Sequence, residues 1–196
     1  EVDDVSNYIE ANTLAKGDTL MFRQMTGDLM YYLSLQRGEG YKEGMDRLIK
    51  EKILSRPDVW KTQDDSLKVI GMAQMYDDLL SRSTPGKRLP DFKLPGTLLT
   101  SKKTRTGEFR LRGLRGDQNY IMFVTDGCNV CDGQKEAARR LVAGNAKAKV
   151  LIINVDDVIA SNPSLSDALF DAFDLSTLPF ILKAGSKSRI YRRYML

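Results

Sequence analysis

The chain has 196 residues, of which 42% are hydrophobic and 29% are charged, so it is long enough for one large domain or a domain with a helical appendage. It contains no histidine, which excludes histidine-based catalytic triads and nearly every catalytic zinc site. No apolar run reaches the ~18 residues that a membrane span needs, and we therefore expect a soluble chain without a transmembrane segment.

The two halves of the chain carry opposite net charge. Residues 1–86 hold 11 basic and 15 acidic side chains, a net −4, whereas residues 87–196 hold 19 and 11, a net +8. A basic half can contact nucleic acid or an anionic lipid surface. The basic residues of 87–118 lack the aromatic signature of RNA-binding proteins, so we expect no nucleic-acid partner. We interpret the opposite charges as an attraction between the two parts of one chain.

Residues 1–83 are predicted to form an all-α N-terminal segment. A further helix is predicted from Asp58 to about Ser81, and the Pro and Gly of residues 83–86 indicate a linker, so a second domain would span 84–196. Met and Tyr stripes could line a ligand groove, but at helical spacing they are more typical of packing. The apolar residues at helical spacing are Val5, Tyr8 and Ile9, then Met21, Met25, Leu29, Tyr32 and Leu33, then Met45, Leu48, Ile49 and Ile53.

After the linker the apolar pattern becomes that of strands. Residues 91–94 and 108–111 alternate, and residues 119–125 and 149–155 are nearly continuous apolar runs, typical of strands buried on both faces. Helices are predicted over 131–143 and 164–173, and a final pair of strands over 179–182 and 189–194, with a turn at Gly185 and Ser186. The order β-α-β-α-β-β predicts an α/β fold, a central mixed sheet flanked by helices, with one parallel pair and a terminal hairpin.

The two cysteines of the chain, Cys128 and Cys131, lie between a predicted buried strand and the start of a predicted helix. A helix N-terminus offers unpaired N–H groups and a partial positive charge, which stabilise a thiolate and lower its pKa from about 8.5 to roughly 3.5–7.5. The thiolate is the nucleophile in disulfide exchange. Cys128 is therefore predicted to attack, and Cys131, one helical turn later, to resolve the mixed disulfide.

With this motif, residues 86–194 resemble the thioredoxin superfamily, most closely its TlpA-like and AhpC/TSA-like branch of bacterial extracytoplasmic thiol proteins. The resemblance rests on residues 85–94 (PGKRLPDFKL), residues 109–117 (FRLRGLRGD), the strand–Cys-x-x-Cys–helix order, and Leu178-Pro179 about fifty residues later. It implies a thioredoxin-like fold and thiol–disulfide exchange on protein thiols or disulfides, with an upstream redox partner and without a metal or organic cofactor. In the family this proline is cis beside the disulfide and the preceding backbone pairs with the substrate. Leu178 and Pro179 are therefore the implied substrate-binding residues.

The surroundings of the cysteines depart from the family pattern. The usual Trp before the first Cys and the Gly-Pro or Glu-Pro between the two are absent, and Met122 replaces the buried carboxylate of thioredoxin. Asp126 and Asp132 flank the motif, and negative charge beside a thiol raises its pKa. We therefore predict a modestly reactive pair that reduces or isomerises disulfides, not a strong oxidant. The residues expected to modulate the pair are Thr125, Asp126, Gly127, Asn129, Val130 and Asp132.

Other functions are compatible with the same residues. In a degenerate thioredoxin-like domain the cysteine pair would be a structural disulfide or an unused dithiol, and the protein would be a non-catalytic binding or scaffold protein. Thr125 and Cys128 match the T-x-x-C part of the peroxiredoxin motif, whose Thr hydroxyl helps to position peroxide, although Ile121 stands where the motif has Pro. A zinc site on the two cysteines would need two further ligands.

Location and partners are expected from the resemblance and the chain ends. The chain begins at Glu1 without a leader, and we expect a processed extracytoplasmic protein, periplasmic or envelope-anchored, of a Gram-negative bacterium. Thioredoxin-like domains usually follow the last hairpin with a helix, whereas this chain ends at Leu196. Both faces of such a sheet are apolar. We therefore expect the acidic helical segment, or a partner subunit in a possible homodimer, to cover the face where that helix would lie.

Overall fold

The computed structural model describes residues 1–60, 64–116, 118–185, 187–194 and 196. The chain divides into two units, Glu1–Ser81 and Arg82–Leu196. Three predicted features lie partly outside the described residues. They are the helix from Asp58 to Ser81, which includes residues 61–63, the motif of residues 109–117, and the turn at Gly185 and Ser186. In the described ranges, no helix is both long and apolar enough to cross a membrane.

The first unit is built of helices, as predicted for this segment. They are α1 (Val2–Asn12), α2 (Thr19–Leu35), α3 (Glu39–Leu48) and α4 (Asp64–Ser81), with a 3-10 helix at Leu14–Lys16 and a π-helix at Ile49–Leu54 that follows α3 directly. The predicted helix start at Asp58 is wrong, because residues 57–60 form turns and a bend.

Phe22 and Trp60 lie at the centre of the first unit's core, with ring centroids 6.4 Å apart. Both side chains are buried, and the indole Nε1 of Trp60 donates a hydrogen bond to the carbonyl of Lys52 at 2.9 Å. The interpretation of the apolar stripes as packing is confirmed for Leu33 and for Met45, Leu48, Ile49 and Ile53, which are buried. It is wrong for the Met and Tyr residues of α2, because α2 turns an adjacent face to the core. The buried residues of α2 are Phe22, Thr26, Met30, Leu33 and Ser34, whereas Met21, Met25 and Tyr32 are exposed, as are Val5 and Tyr8 of α1.

The second unit contains a six-stranded mixed sheet with helices on its faces, so the predicted fold class is confirmed. Strands β3 and β4 are parallel, and the other neighbouring strands are antiparallel, including the terminal hairpin of β5 and β6. The strands are β1 (Lys93–Thr100), β2 (Thr104–Arg110), β3 (Gln118–Val124), β4 (Ala148–Asn154), β5 (Phe180–Ala184) and β6 (Ile190–Arg193), in the spatial order β2-β1-β4-β3-β5-β6. The helices are α5 (Asn129–Gly144), α6 (Val155–Ser161) and α7 (Ser166–Ala172).

Strand β1 extends well beyond the alternating stretch predicted at 91–94, through a Pro-Gly pair. Pro95 lies opposite Glu108 of β2, ahead of the first β1–β4 pair at Thr97, so its missing N–H leaves no gap in the β4 ladder. A Cβ at Gly96 would lie 2.6 Å from the backbone oxygen of Ile152. This close approach of β1 to β4 therefore requires glycine at position 96.

Strand β3 supplies side chains to both faces of the sheet, which places the cysteine motif over one of them. Ile121 and Phe123 belong to the larger apolar cluster, which also includes residues of α6 and α7. Met122 and Val124 belong to the cluster under α5, which also contains Cys131. The chain leaves β3 at Val124 and reaches Cys128 four residues later, directly before α5. The strand therefore positions the cysteine motif at the carboxyl end of a parallel pair.

Candidate functional site

Cys128 and Cys131 form a disulfide at the N-terminus of α5, with their Cα atoms 5.2 Å apart. Cys128 is the N-cap residue of this helix, and its Sγ accepts a hydrogen bond from the backbone N–H of Cys131 at 3.1 Å. The first N–H groups of a helix have no intrahelical partner and carry a partial positive charge. They therefore lie where they can stabilise a thiolate on Cys128 once the disulfide is reduced.

The two cysteines differ in exposure. Cys131 is fully buried, whereas Cys128 is half-buried. The two residues between them, Asn129 and Val130, are exposed, and Val130 presents 48% of its surface to solvent. An external sulfur atom can therefore approach Cys128 more easily than Cys131. This asymmetry suits the predicted roles of attacking and resolving cysteine, which stay predictions.

An apolar cluster lies beneath the disulfide. Cys131 packs there with Met122, Val124 and Ile181, and Cys128 lies at its edge. Met122 is fully buried, so the position that holds a carboxylate in thioredoxin holds an apolar side chain in this chain. The thioether of Met122 cannot take a proton from Cys131.

Leu178 and Pro179 lie at the same end of the sheet as the disulfide. The pairing of Phe123 with Phe180 places Pro179 beside the end of β3 from which the chain leads to Cys128. Leu178 packs against the apolar cluster that contains both cysteines, and the Leu178–Pro179 peptide bond is cis, as expected. The structure thus brings together the two pairs of residues that the sequence separates by about fifty positions, and their role toward a substrate stays a prediction.

A hydrogen-bond network ties the loop before Cys128 to the start of α6. Thr125 Oγ1 and the Asp126 N–H both donate to Asp156 Oδ2, at 2.7 and 2.9 Å. Asn154 Nδ2 donates to Asp126 Oδ1 at 2.8 Å, and the Asp156 N–H donates to Asn154 Oδ1 at 3.0 Å. The hydrogen bonds from the Asp126 backbone and the Thr125 hydroxyl hold the pKa of Asp156 below its usual value.

Sequence reasoning missed Asn154 and Asp156 because it assigned residues 149–155 to one strand. The strand ends at Asn154, whose side chain caps α6, and Asp156 and Asp157 occupy the first turn of that helix. An N-cap residue followed by acidic residues is a helix-start signal. That signal was present in the sequence and could have located α6.

The remaining flanking residues have specific local partners. Asp132 accepts a hydrogen bond from Lys135 Nζ at 3.0 Å and forms an ion pair with it, so Lys135 offsets part of the negative charge beside the motif. Gly127 has a φ of +66°, in the left-handed region that side chains other than Gly and Asn rarely adopt. This conformation is a physical reason for glycine, in place of the family's Trp, before Cys128.

Comparison with known proteins supports the fold. No protein-family model and no curated protein matches the sequence. The crystal structure of a thioredoxin-like protein from Bacteroides caccae matches with a TM-score of 0.63 and 13% identity, covering 100% of this chain and 74% of that one. This likeness shows that the chain has a thioredoxin-like fold, which confirms the fold implied by the sequence motifs.

Two further structures match the chain in part. The C-terminal domain of a proposed thiol-disulfide oxidoreductase from Bacteroides thetaiotaomicron has a TM-score of 0.40 and 14% identity, covering 57% of this chain and 87% of that one. The C-terminal domain of an uncharacterized protein from Bacteroides fragilis also has a TM-score of 0.40 and 14% identity, with coverages of 58% and 91%.

Proposed function

We propose that this protein is a thiol–disulfide oxidoreductase that acts on protein thiols or disulfides through Cys128 and Cys131. The observation that carries the proposal is the disulfide at the N-terminus of α5, with a half-buried first cysteine, a buried second cysteine and a cis-proline segment at the same end of the sheet. A structural disulfide needs no such difference in access between its two sulfurs. Asn129, Val130, Leu178 and Pro179 would border the bound substrate.

The exchange reaction uses only the two thiols. In the reduced protein the Cys128 thiolate attacks one sulfur of a substrate disulfide, which forms a mixed disulfide and releases the other substrate sulfur as a thiolate. The Cys131 thiol then loses its proton and attacks Cys128 Sγ, which closes the intramolecular disulfide and releases the second substrate sulfur. The substrate gains two electrons and two protons, and a dithiol redox partner restores the protein dithiol. Run in reverse, the same steps oxidise a substrate dithiol.

The residues around the pair favour reduction or isomerisation in this proposal. The helix N-terminus stabilises the Cys128 thiolate, while the negative charges of the flanking Asp126 and Asp132 carboxylates destabilise it. Lys135 offsets the charge of Asp132 at 3.0 Å, so Asp126 is the stronger opposing charge. The branch we favour is TlpA-like or AhpC/TSA-like, with an extracytoplasmic, periplasmic or envelope-anchored location in a Gram-negative bacterium.

The peroxidase alternative gains no support from the position of Thr125. Its hydroxyl hydrogen points to Asp156 Oδ2 at 2.7 Å, so it is engaged with a carboxylate instead of being free for a peroxide at Cys128. The non-catalytic alternative differs from the proposal in one measurable property, the reactivity of Cys128.

The decisive experiment measures thiol reactivity and exchange on the full chain. The pKa of Cys128 in the reduced protein is expected below about 8.5, the value for an unperturbed thiol. Reduction of insulin disulfides is expected with dithiothreitol as the reductant, and the double variant Cys128→Ser/Cys131→Ser is the control. A Cys128 pKa of about 8.5 or above, together with insulin reduction no faster than in the double variant, would favour a binding or scaffold protein.

A further inference from the structure

A cationic pocket lies on the second unit, outside the cysteine site. It has a volume of about 440 Å³ and is lined by Arg88, Arg112, Lys187, Ser188 and Arg189. All four basic residues are exposed to solvent. None of the described residues that line the cavity is acidic. Part of the positive charge excess of residues 87–196 is therefore concentrated at one concave place.

The positive charges of the pocket have no carboxylate partner within the described ranges. Arg112 Nε donates to the carbonyl of Leu89 at 2.6 Å, and Arg189 Nη1 donates to the carbonyl of Gly86 at 2.9 Å. Arg88 and Arg189 face each other in an isolated antiparallel β-bridge. Like charges directly opposite each other destabilise a strand pair, and a bound anion would remove that cost.

The backbone that carries these side chains is well fixed. The N–H groups of Gly86 and Leu89 donate to the carbonyls of Ile190 and Ser188, both at 2.8 Å, and the Ile190 N–H donates to the carbonyl of Lys87 at 2.9 Å. These three bonds join the segment before β1 to the start of β6. The side chains of Arg88 and Arg189 therefore project from backbone that is held by hydrogen bonds on both sides, which lowers the entropy cost of binding.

The pocket and the disulfide lie at opposite ends of the sheet. The β5–β6 turn that carries Lys187 and Arg189 follows Ala184, which pairs with Asn119 at the beginning of β3. Cys128 follows Val124 at the other end of β3, a strand of seven residues. At ~3.3 Å per residue the two ends are roughly 20 Å apart. A ligand in the pocket would not touch the sulfur atoms.

We propose that the cationic pocket binds a phosphate-bearing anion, either a phosphorylated small molecule or the headgroup of an anionic phospholipid. A carboxylate carries one negative charge and is satisfied by one guanidinium. A phosphate group carries up to two charges and presents several oxygen atoms, which matches three guanidinium groups and one ammonium. The volume of about 440 Å³ lies within the usual range for small-molecule sites.

The test uses the full chain and two double variants of equal charge change. Arg88→Gln/Lys187→Gln removes two charges of the pocket whose side chains donate no hydrogen bond to the backbone of the described residues. Lys102→Gln/Arg105→Gln is the matched control, since both residues are exposed at the β1–β2 hairpin. Binding of inorganic pyrophosphate is measured by titration calorimetry, with acetate as the carboxylate comparison. Co-sedimentation is measured with vesicles of phosphatidylglycerol and phosphatidylcholine in equal parts, and with pure phosphatidylcholine vesicles.

We expect the wild type to bind one pyrophosphate per chain saturably. The affinity should be about tenfold weaker in Arg88→Gln/Lys187→Gln and unchanged in Lys102→Gln/Arg105→Gln. If only the phosphatidylglycerol vesicles bind, with the same dependence on the variants, the phosphate belongs to a lipid headgroup. The proposal is overturned if neither probe binds saturably, if acetate binds as tightly as pyrophosphate, or if both double variants weaken binding equally. The last result would indicate diffuse attraction to a basic surface.

Discussion

The side chain of Thr125 donates a hydrogen bond to the carboxylate of Asp156 at 2.7 Å, which joins the end of strand β3 to the first turn of helix α6. The N–H of Asp126 donates to the same oxygen atom at 2.9 Å. Thr125 lies three residues and Asp126 two residues before Cys128. The position of the cysteine loop therefore depends on a residue that follows the neighbouring strand.

This relationship predicts a pH-dependent contribution of Asp156 to stability. Its pKa is lowered by the two hydrogen bonds, so its contribution is complete above the ordinary value of 3.8 and is lost as the pH falls through the lower pKa of the folded state. We expect Asp156→Asn to unfold at a lower temperature than the wild type at pH 7, and the difference to shrink as the pH falls below 3.8 and to vanish once the carboxylate is protonated in the folded protein.

The matched control for this prediction is Asp157→Asn, because Asp157 is exposed on the same helical turn. Thermal unfolding from pH 7 to about pH 2 is the measurement. The single Trp60 lies in the first unit, so amide hydrogen exchange of β3 is the better report on the second unit. Equal pH profiles for the two variants would contradict the assigned role of Asp156.

The two single-cysteine variants are expected to differ in reactivity. In Cys131→Ser the half-buried Cys128 should react with 5,5′-dithiobis(2-nitrobenzoate) and keep the mixed disulfide, because no resolving thiol is present. In Cys128→Ser the buried Cys131 should react at roughly one tenth of that rate or slower, since its sulfur is shielded from solvent. The release of nitrothiobenzoate measures both rates. Faster reaction of Cys131 would reverse the assignment of attacking and resolving cysteine.

Substitution of Gly127 is expected to destabilise the second unit. Its φ is +66°, and a residue with a Cβ loses about 1 kcal/mol of stability in this conformation. Space is not the obstacle, because an added Cβ would meet no atom within 4 Å. Gly133, inside α5, also has no atom within 4 Å of an added Cβ, but its backbone is helical. Gly127→Ala should therefore lower the free energy of unfolding, whereas Gly133→Ala should raise it by about 0.5–1 kcal/mol. Urea unfolding measures both, and a change of the same sign in both would refute the conformational argument.

Loss of the Tyr194 hydroxyl is expected to destabilise the second unit, because it removes a hydrogen bond to Asp174. Tyr194 Oη donates to Asp174 Oδ2 at 2.8 Å, and Asp174 is 4% exposed. Tyr194→Phe keeps the ring contact with Phe180 at 5.2 Å but leaves this buried carboxylate with one donor fewer, at a cost of about 1–3 kcal/mol. Tyr191→Phe is the control, because Tyr191 is 58% exposed. Hydrogen exchange of β5 amides should speed up in Tyr194→Phe alone.

The sequence by itself determined the α/β class, the helical first segment, the buried strands and the position of the cysteine motif at a helix start. These features are local, because an apolar run, a helical period or a capping position is set by neighbouring residues. Predictions from the sequence were wrong where two local signals overlap. The exposed face of α2 carries Met and Tyr at helical spacing, and α6 begins within an apolar run.

Only the tertiary structure decided which residues meet. Leu178 and Pro179 reach the disulfide because β3 and β5 pair in one register, and Asp156 reaches Thr125 because α6 starts beside the end of β3. The cationic pocket likewise joins residues from three separate places in the sequence, around positions 88, 112 and 187–189. Such contacts depend on strand register and on the packing of helices over the sheet, and no short stretch of sequence contains that information.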